Sequence, residues 1–206
     1  MKPKRNRPPG RPRSGETDQP TDKIILMAAS RLFLEYGYKE VSIDDVARAC
    51  GVTKATIYYY YSSKAELFTE TMIQMMKRIR ERISSMLLED LPLHERLLNV
   101  AKAHLSATVD IDLDGFMRGT KNSLTDKQIR QMREAENKMY ESIETAFQTA
   151  IERNDIAEVN PTFAAHCYIA LLKVGNFRGP SNEGIFANSD EAAEQIVSFL
   201  WKGLFN

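Results

Sequence analysis

The sequence has little cysteine and no long hydrophobic segment. Its two cysteines, Cys50 and Cys167, lie far apart in apolar helical patterns, which favours buried thiols over a disulfide or a metal pair. The three histidines are not closely spaced, so neither a metal nor a cofactor is expected. No segment approaches the roughly 18 apolar residues of a membrane helix, and the basic N-terminus lacks the apolar core of a secretory signal. These absences predict a cytoplasmic protein without a membrane partner.

Charge is distributed unevenly along the chain, although its 206 residues carry 28 basic and 28 acidic side chains. Residues 1–13 contain six basic side chains and no acidic one. A basic arm on an acidic body is expected where only one end meets a polyanion. Within this arm, residues 9–13 resemble the Gly-Arg-Pro core of AT-hook segments, so Arg11 and Arg13 are candidates for the minor groove of A·T-rich DNA. The alternative is a solvated tail that only aids solubility.

Beyond the arm, the spacing of apolar residues predicts helices and no strands, so the expected fold class is all-α. The expected domains are a disordered arm over residues 1–20, a three-helix domain over 21–67 and a larger helical domain over 68–206. Ser42 with Asp45 and Ser63 with Glu66 predict capping boxes, and Thr53 and Thr125 predict further helix N-caps. The predicted helices cover residues 21–36, 42–50, 53–60, 64–88, 92–108, 116–123, 125–153, 160–174 and 190–204.

Residues 43–60 have the pattern of a helix-turn-helix. Such a motif needs a small residue where its helices touch, a glycine in the turn and an aliphatic anchor on the second helix, and Ala47, Gly51 and Ile57 have this spacing. With Ile57 and Tyr61 facing inward, the outward positions of the second helix offer hydrogen-bond donors, a methyl group and aromatic edges. They include no carboxylate that would repel phosphate, which favours DNA binding.

Residues 25–71 resemble the DNA-binding domain of the TetR (tetracycline repressor) family. The resemblance is carried by Leu32-Phe33, Gly37-Tyr38, Val46-Ala47, Gly51-Val52, Thr53 to Tyr61 and Ser63 to Leu67. It implies a dimer whose recognition helices enter successive major grooves of a near-palindromic operator. It also implies a helical C-terminal domain that dimerises and usually binds a small molecule.

The resemblance also implies roles for single residues. Base edges would be met by Lys54, Ala55 and Thr56, and phosphates would be held by Ser42, Thr53, Tyr58, Tyr59 and Lys64. The alternatives are that Ser42 and Thr53 are helix caps only and that Lys64 is a solvated lysine. Tyr61 stands where the family more often has Phe, and Ala55 where it often has Gly, so the operator sequence stays open.

Candidates for effector binding are polar residues in largely apolar helices: His104, Arg118, Glu136, Tyr140 and His166. Glu136 falls on the apolar stripe of its helix, where an unpaired buried charge would cost several kcal/mol. It therefore lines a wet pocket, lies at a rim or pairs with a nearby cation. For the other four residues, the alternative is an ordinary structural role.

The last two predicted helices have broad apolar surfaces, which predict a four-helix interface with a second copy of the chain. The predicted interface residues are Phe163, Cys167, Ala170, Leu171, Val174, Ala193, Ile196, Val197, Leu200, Trp201 and Leu204. The alternative is that both helices close the core of the monomer.

Together these features predict a sequence-specific transcription regulator. The resemblance further implies a repressor that a small-molecule effector releases from a palindromic operator. The alternative is an architectural DNA-binding protein that senses no ligand and binds largely through its minor-groove arm. No phosphate-binding glycine loop, paired metal motif or nucleophile arrangement indicates an enzyme. The residues do not specify the effector, the operator, the regulated genes or the choice between repression and activation.

Overall fold

The computed structural model describes residues 20–108, 120, 123–181 and 183–205. These residues form eight helices: α1 (Thr21–Glu40), α2 (Ile43–Cys50), α3 (Lys54–Tyr60), α4 (Lys64–Leu87), α5 (Leu93–Thr108), α6 (Asp126–Glu152), α7 (Pro161–Gly175) and α8 (Ser189–Phe205). The all-α prediction is confirmed. Within the described ranges, no helix is long and apolar enough to cross a membrane. Arg11, Arg13, Arg118 and most of the helix predicted over 116–123 lie outside those ranges.

Side chains cap several helices where the sequence predicts caps. Ser42 Oγ accepts a hydrogen bond from the Asp45 N–H at 3.2 Å, and the Asp45 carboxylate accepts one from the Ser42 N–H at 2.9 Å. Thr125 and Gln128 form the same reciprocal box at the start of α6. Each box satisfies backbone N–H groups that the first turn of a helix otherwise leaves without a partner. These helix starts are thus fixed by residues within one turn.

Two details at helix ends differ from the prediction. Gly37, expected to end the first helix, instead forms a kink inside α1 with φ 79° and ψ 165°, a backbone conformation that favours glycine. The kink lets the Tyr38 ring enter the core. At α4, Ser63 caps the Glu66 N–H as expected, but the Glu66 carboxylate accepts from the Ser62 N–H and hydroxyl. The predicted Ser63–Glu66 box is therefore only half formed.

The buried residues form two hydrophobic clusters. The N-terminal core is built on aromatic rings: Phe68 meets Phe33 and Tyr38 edge to face, with centroids 5.1 and 4.9 Å apart. The C-terminal core is mostly aliphatic around Phe147 and Tyr168, and the Tyr168 hydroxyl donates to the Leu97 carbonyl at 2.7 Å. Each domain therefore has its own core.

Helices α4 and α6 join the two cores. Helix α4 packs against α1 and α6, and α6 packs against α4 and α7. Met132 near the start of α6 belongs to the N-terminal core, whereas Phe147 near its end belongs to the C-terminal core. The predicted domain boundary between residues 67 and 68 falls inside α4, whose Phe68 and Met72 also belong to the N-terminal core.

Candidate DNA-binding surface and effector site

The helix-turn-helix is held by the three residues that its spacing singles out. Ile57 of α3 is fully buried, and Ala47 of α2 is 6% exposed. Gly51 adopts the left-handed conformation (φ 67°, ψ 27°) between the helices, and the next N–H, that of Val52, donates to the Ala47 carbonyl at 3.0 Å. This turn and anchor fix the orientation of α3 against α2, as a DNA-reading helix requires.

The outer face of α3 is exposed and carries no acidic side chain. Lys54, Ala55, Tyr58 and Tyr59 are exposed together with the N-cap Thr53. Thr56 is half-buried; its N–H donates to Thr53 Oγ1 at 3.1 Å, and the two hydroxyls lie 2.8 Å apart. The side chains that the sequence assigns to DNA contact on this helix therefore share one accessible surface.

Lys54 has an acidic partner that the sequence analysis missed. Its Nζ lies 2.7 Å from Asp44 Oδ2, so the ion pair joins α2 to the first turn of α3. The hydrogen bond to the Asp44 carboxylate raises the pKa of Lys54. Asp44 and Lys54 are ten positions apart, so neither helical nor turn spacing predicts their contact from the sequence.

The two phosphate candidates outside α3 occupy different environments. Ser42 is exposed at the start of α2, where it serves as the N-cap. Lys64 is half-buried: its Nζ donates to the Lys39 carbonyl at 3.2 Å and lies 4.5 Å from the centre of the Tyr38 ring. Burial lowers the pKa of Lys64. An ammonium has three N–H donors, so Lys64 keeps donors for a phosphate while it binds the end of α1.

Three of the effector candidates lie at the contact between α6 and α7. The rings of Tyr140 and His166 stack with centroids 4.5 Å apart and planes 27° from parallel. Glu136 is half-buried one turn before Tyr140. Burial, and then the charge of Glu136, raise the pKa of Tyr140. The structure therefore groups a carboxylate, a phenol and an imidazole.

The other two effector candidates stand apart from that group. His104 is half-buried on α5, and burial lowers the pKa of its imidazole, which favours the neutral ring. Arg118 is outside the described residues. Two open grooves occur elsewhere in the described chain. One of about 420 Å³ lies between α1 and α2, and one of about 350 Å³ lies between α4 and the start of α6. None of the four effector candidates within the described residues lines either groove.

The predicted dimer interface requires a correction on α8. Ala193, Ile196, Val197 and Leu200 are at most 4% exposed, because α8 packs against α5 and α7 and its apolar stripe fills the chain's own core. For these residues the alternative of a closed monomer core holds. Of the rest, Cys167, Leu171, Trp201 and Leu204 are half-buried against that core.

A different set of apolar side chains remains accessible on α7 and α8. Phe163 and Val174 of the predicted interface are 58% and 43% exposed, and Ala170 between them is also exposed. Phe199 on α8 is 70% exposed. The sequence analysis missed Phe199 because it lies outside the stripe that fills the core. We call Phe163, Ala170, Val174 and Phe199 the exposed apolar surface.

A capped helix-turn-helix that presents an acid-free second helix, joined to a larger helical domain, defines the class of helix-turn-helix transcription regulators. Residues 25–71 match the family model of "Bacterial regulatory proteins, tetR family". Residues 25–71 are therefore a TetR-type DNA-binding domain, as the resemblance implied.

Two curated regulators and one solved structure resemble this chain over most of its length. The uncharacterised regulator YhgD of Bacillus subtilis (strain 168) is 29% identical over 161 residues, which cover 73% of this chain and 81% of the relative. The transcriptional activator FasR of Mycolicibacterium smegmatis is 25% identical over 181 residues, covering 87% and 81%. The crystal structure of FadR from Bacillus subtilis with stearoyl-CoA shares the fold. Its TM-score is 0.72 at 17% identity, with 88% of this chain and 98% of that chain covered.

Proposed function

We propose that this regulator is a homodimer that binds a palindromic operator and that a small molecule releases it. The observation that carries the proposal is the outer face of α3, which is exposed, free of acidic side chains and held rigidly by the Gly51 turn and the Ile57 anchor. In this arrangement Lys54, Ala55 and Thr56 meet base edges. The phosphates are contacted by Ser42, Thr53, Tyr58, Tyr59 and Lys64.

Dimerisation is supported by the exposed apolar surface on α7 and α8. Large apolar side chains left exposed on two helices that pack together indicate a covering partner. A second copy of the chain is the partner that also supplies the second recognition helix of a palindromic site.

The effector proposal rests on the Tyr140–His166 stack. A ligand that inserts beside this stack displaces α6 relative to α7. Because α6 also places Met132 in the N-terminal core, the displacement reaches the DNA-binding domain. The resulting change in DNA affinity cannot exceed the ligand's differential affinity for the two arrangements.

The operator proposal is tested by selecting DNA from random duplexes. The purified full-length protein is incubated with the pool at about 150 mM salt, and the retained duplexes are sequenced. We expect a palindrome whose half-sites are about one helical turn apart. Retention without a shared motif, lost when residues 1–13 are deleted, would instead favour the architectural DNA-binding protein.

The effector proposal is tested on the recovered operator. Stearoyl-CoA is the first probe, because the structure of a protein with this fold contains it. We expect release of the operator, and we expect His166→Ala to raise the stearoyl-CoA concentration needed by about tenfold. His94→Ala is the matched control, since His94 makes a comparable ring contact with Trp201 elsewhere in the domain. Equal effects of the two variants would contradict an effector site at His166.

A further inference from the structure

The proposed DNA-reading helix carries a single charged side chain, and that side chain is already paired. Lys54 is the one charged residue among Lys54–Tyr60, and its ammonium lies 2.7 Å from the Asp44 carboxylate. The two side chains are 51% and 57% exposed, so DNA can reach both. The neighbouring Asp45 is engaged in the α2 capping box and with Arg48, and Asp44 takes no part in that box.

The Asp44–Lys54 ion pair contributes little to the stability of the fold. Exposed ion pairs contribute about 0–1 kcal/mol to the free energy of unfolding. Its larger consequence concerns DNA, because a phosphate competes with Asp44 for the same ammonium and is repelled by the carboxylate.

A guanine edge differs from a phosphate in this respect. Lys54 has three N–H donors, of which one is directed at Asp44. The two that remain match the paired O6 and N7 acceptors of guanine, which carry no formal charge. A guanine contact can therefore form while the ion pair persists, whereas a phosphate contact places an anion beside Asp44.

We propose that Asp44 is a specificity-determining residue that positions Lys54. The Asp44 carboxylate keeps the Lys54 ammonium in a position where it can donate to a base edge with paired acceptors. It weakens DNA binding at sites where only a phosphate is within reach of Lys54. This inference rests on the proposed function, since it needs α3 to lie in the major groove.

The test compares specific with non-specific binding by full-length Asp44→Asn. Dissociation constants are measured for the selected operator and for a mixed-sequence duplex between about 50 and 200 mM salt. We expect mixed-sequence binding to tighten about three- to tenfold and its salt slope to steepen by about one per protomer. Operator affinity should change less than about twofold, so the specificity ratio falls. Asp44→Glu keeps the carboxylate and should keep most of the ratio.

The same substitution in a Lys54→Gln background separates positioning from general surface charge. We expect Asp44→Asn to have little effect there, because no ammonium remains to be held. An equal fold-change in both backgrounds, or an unchanged specificity ratio, would overturn the inference. Melting temperatures of all variants verify that they fold. The two failures can be told apart. If the wild-type protein selects no shared motif, the proposed function fails, and this inference fails with it. If the wild-type protein selects a motif but the residue 44 variants behave as just described, only this inference fails.

Discussion

The two domains of this chain leave different kinds of side chain exposed. In the N-terminal domain, α1 to α3 and the first part of α4 enclose an aromatic core together with Met132 of α6, and most of the exposed large side chains are tyrosines, chiefly those of α3. In the C-terminal domain, α5 to α8 enclose a larger core and still leave Phe163, Val174 and Phe199 accessible. The first domain exposes mainly tyrosines, each of which carries a hydroxyl, whereas the second exposes aliphatic and phenyl side chains that a second copy would cover.

This difference separates two kinds of function. A domain whose exposed large side chains are mainly tyrosines can present α3 rigidly to a nucleic acid. A domain with an accessible apolar surface can set the distance between two such helices. Changes in the two domains should therefore alter different measurements.

The largest expected effects come from emptying the two cores. Phe33→Ala and Phe147→Ala remove rings that are 1% and 0% exposed, and each should lower the free energy of unfolding by about 3–5 kcal/mol. Urea denaturation followed by circular dichroism measures the loss. We expect Phe33→Ala to weaken operator binding more than dimerisation and Phe147→Ala to do the reverse. If both variants weakened both properties equally, the domains would not act as separate cores.

The next effect concerns the exposed apolar surface. Phe199→Asp should weaken dimerisation by about 2 kcal/mol for each copy, because a symmetric interface contains the change twice. Sedimentation velocity over a range of protein concentrations measures the dissociation. Leu88→Asp is the matched control, since Leu88 is 83% exposed beyond the end of α4. If the Phe199→Asp dimer were as stable as the Leu88→Asp dimer, Phe199 would not be part of the interface.

A smaller effect is expected from the helix caps. Ser42→Ala and Thr125→Ala remove equivalent capping side chains from α2 and α6, and each should cost about 1 kcal/mol in thermal denaturation. We expect Ser42→Ala to weaken operator binding as well, because Ser42 is itself a proposed phosphate contact. Equal operator affinity of the two variants would leave Ser42 as a cap alone.

The smallest effect is a difference in acid sensitivity between the two capping boxes. Hydrogen bonds from Ser42 hold the pKa of Asp45 below its ordinary value. The stabilisation is thus fully present above the unfolded-state pKa of about 4 and is lost as the pH falls through the lower folded-state pKa. The α6 box uses Gln128, which does not titrate. Amide exchange below pH 4 should show α2 loosening before α6, and Asp45→Asn should abolish the pH dependence of α2. If α2 of the Asp45→Asn variant still loosened before α6 as the pH falls, this assignment would be contradicted.

Sequence alone predicts those features whose partners lie within one helical turn. The Ser42, Thr53 and Thr125 caps and the Gly51 turn belong to this group, because neighbouring residues determine the local backbone. The recognition of the family and of the all-α fold rested on such features and is confirmed.

Features that depend on the packing of distant helices were predicted less well. From its sequence, the apolar stripe of α8 could pack against a second chain or in the chain's own core. It fills the chain's own core because α5 and α7 lie against it. The Asp44–Lys54 ion pair and the Tyr140–His166 stack likewise depend on how two helices cross. The half-formed box at Ser63 is a local exception, since the Glu66 carboxylate accepts from the N–H and hydroxyl of Ser62, four positions away, instead of the Ser63 N–H.

The placement of α6 in both cores limits how its sequence can change. Met132 and Tyr140 lie about two turns apart on one continuous helix, and an inserted residue between them would rotate one against the other by about 100°. Met132 and the Tyr140–His166 contact could not then both keep their places. Residues 133–139 should therefore accept exchanges of their exposed side chains but no change in number. New ligand preferences would therefore arise in this segment by substitution of side chains, while the number of residues between Met132 and Tyr140 stays the same.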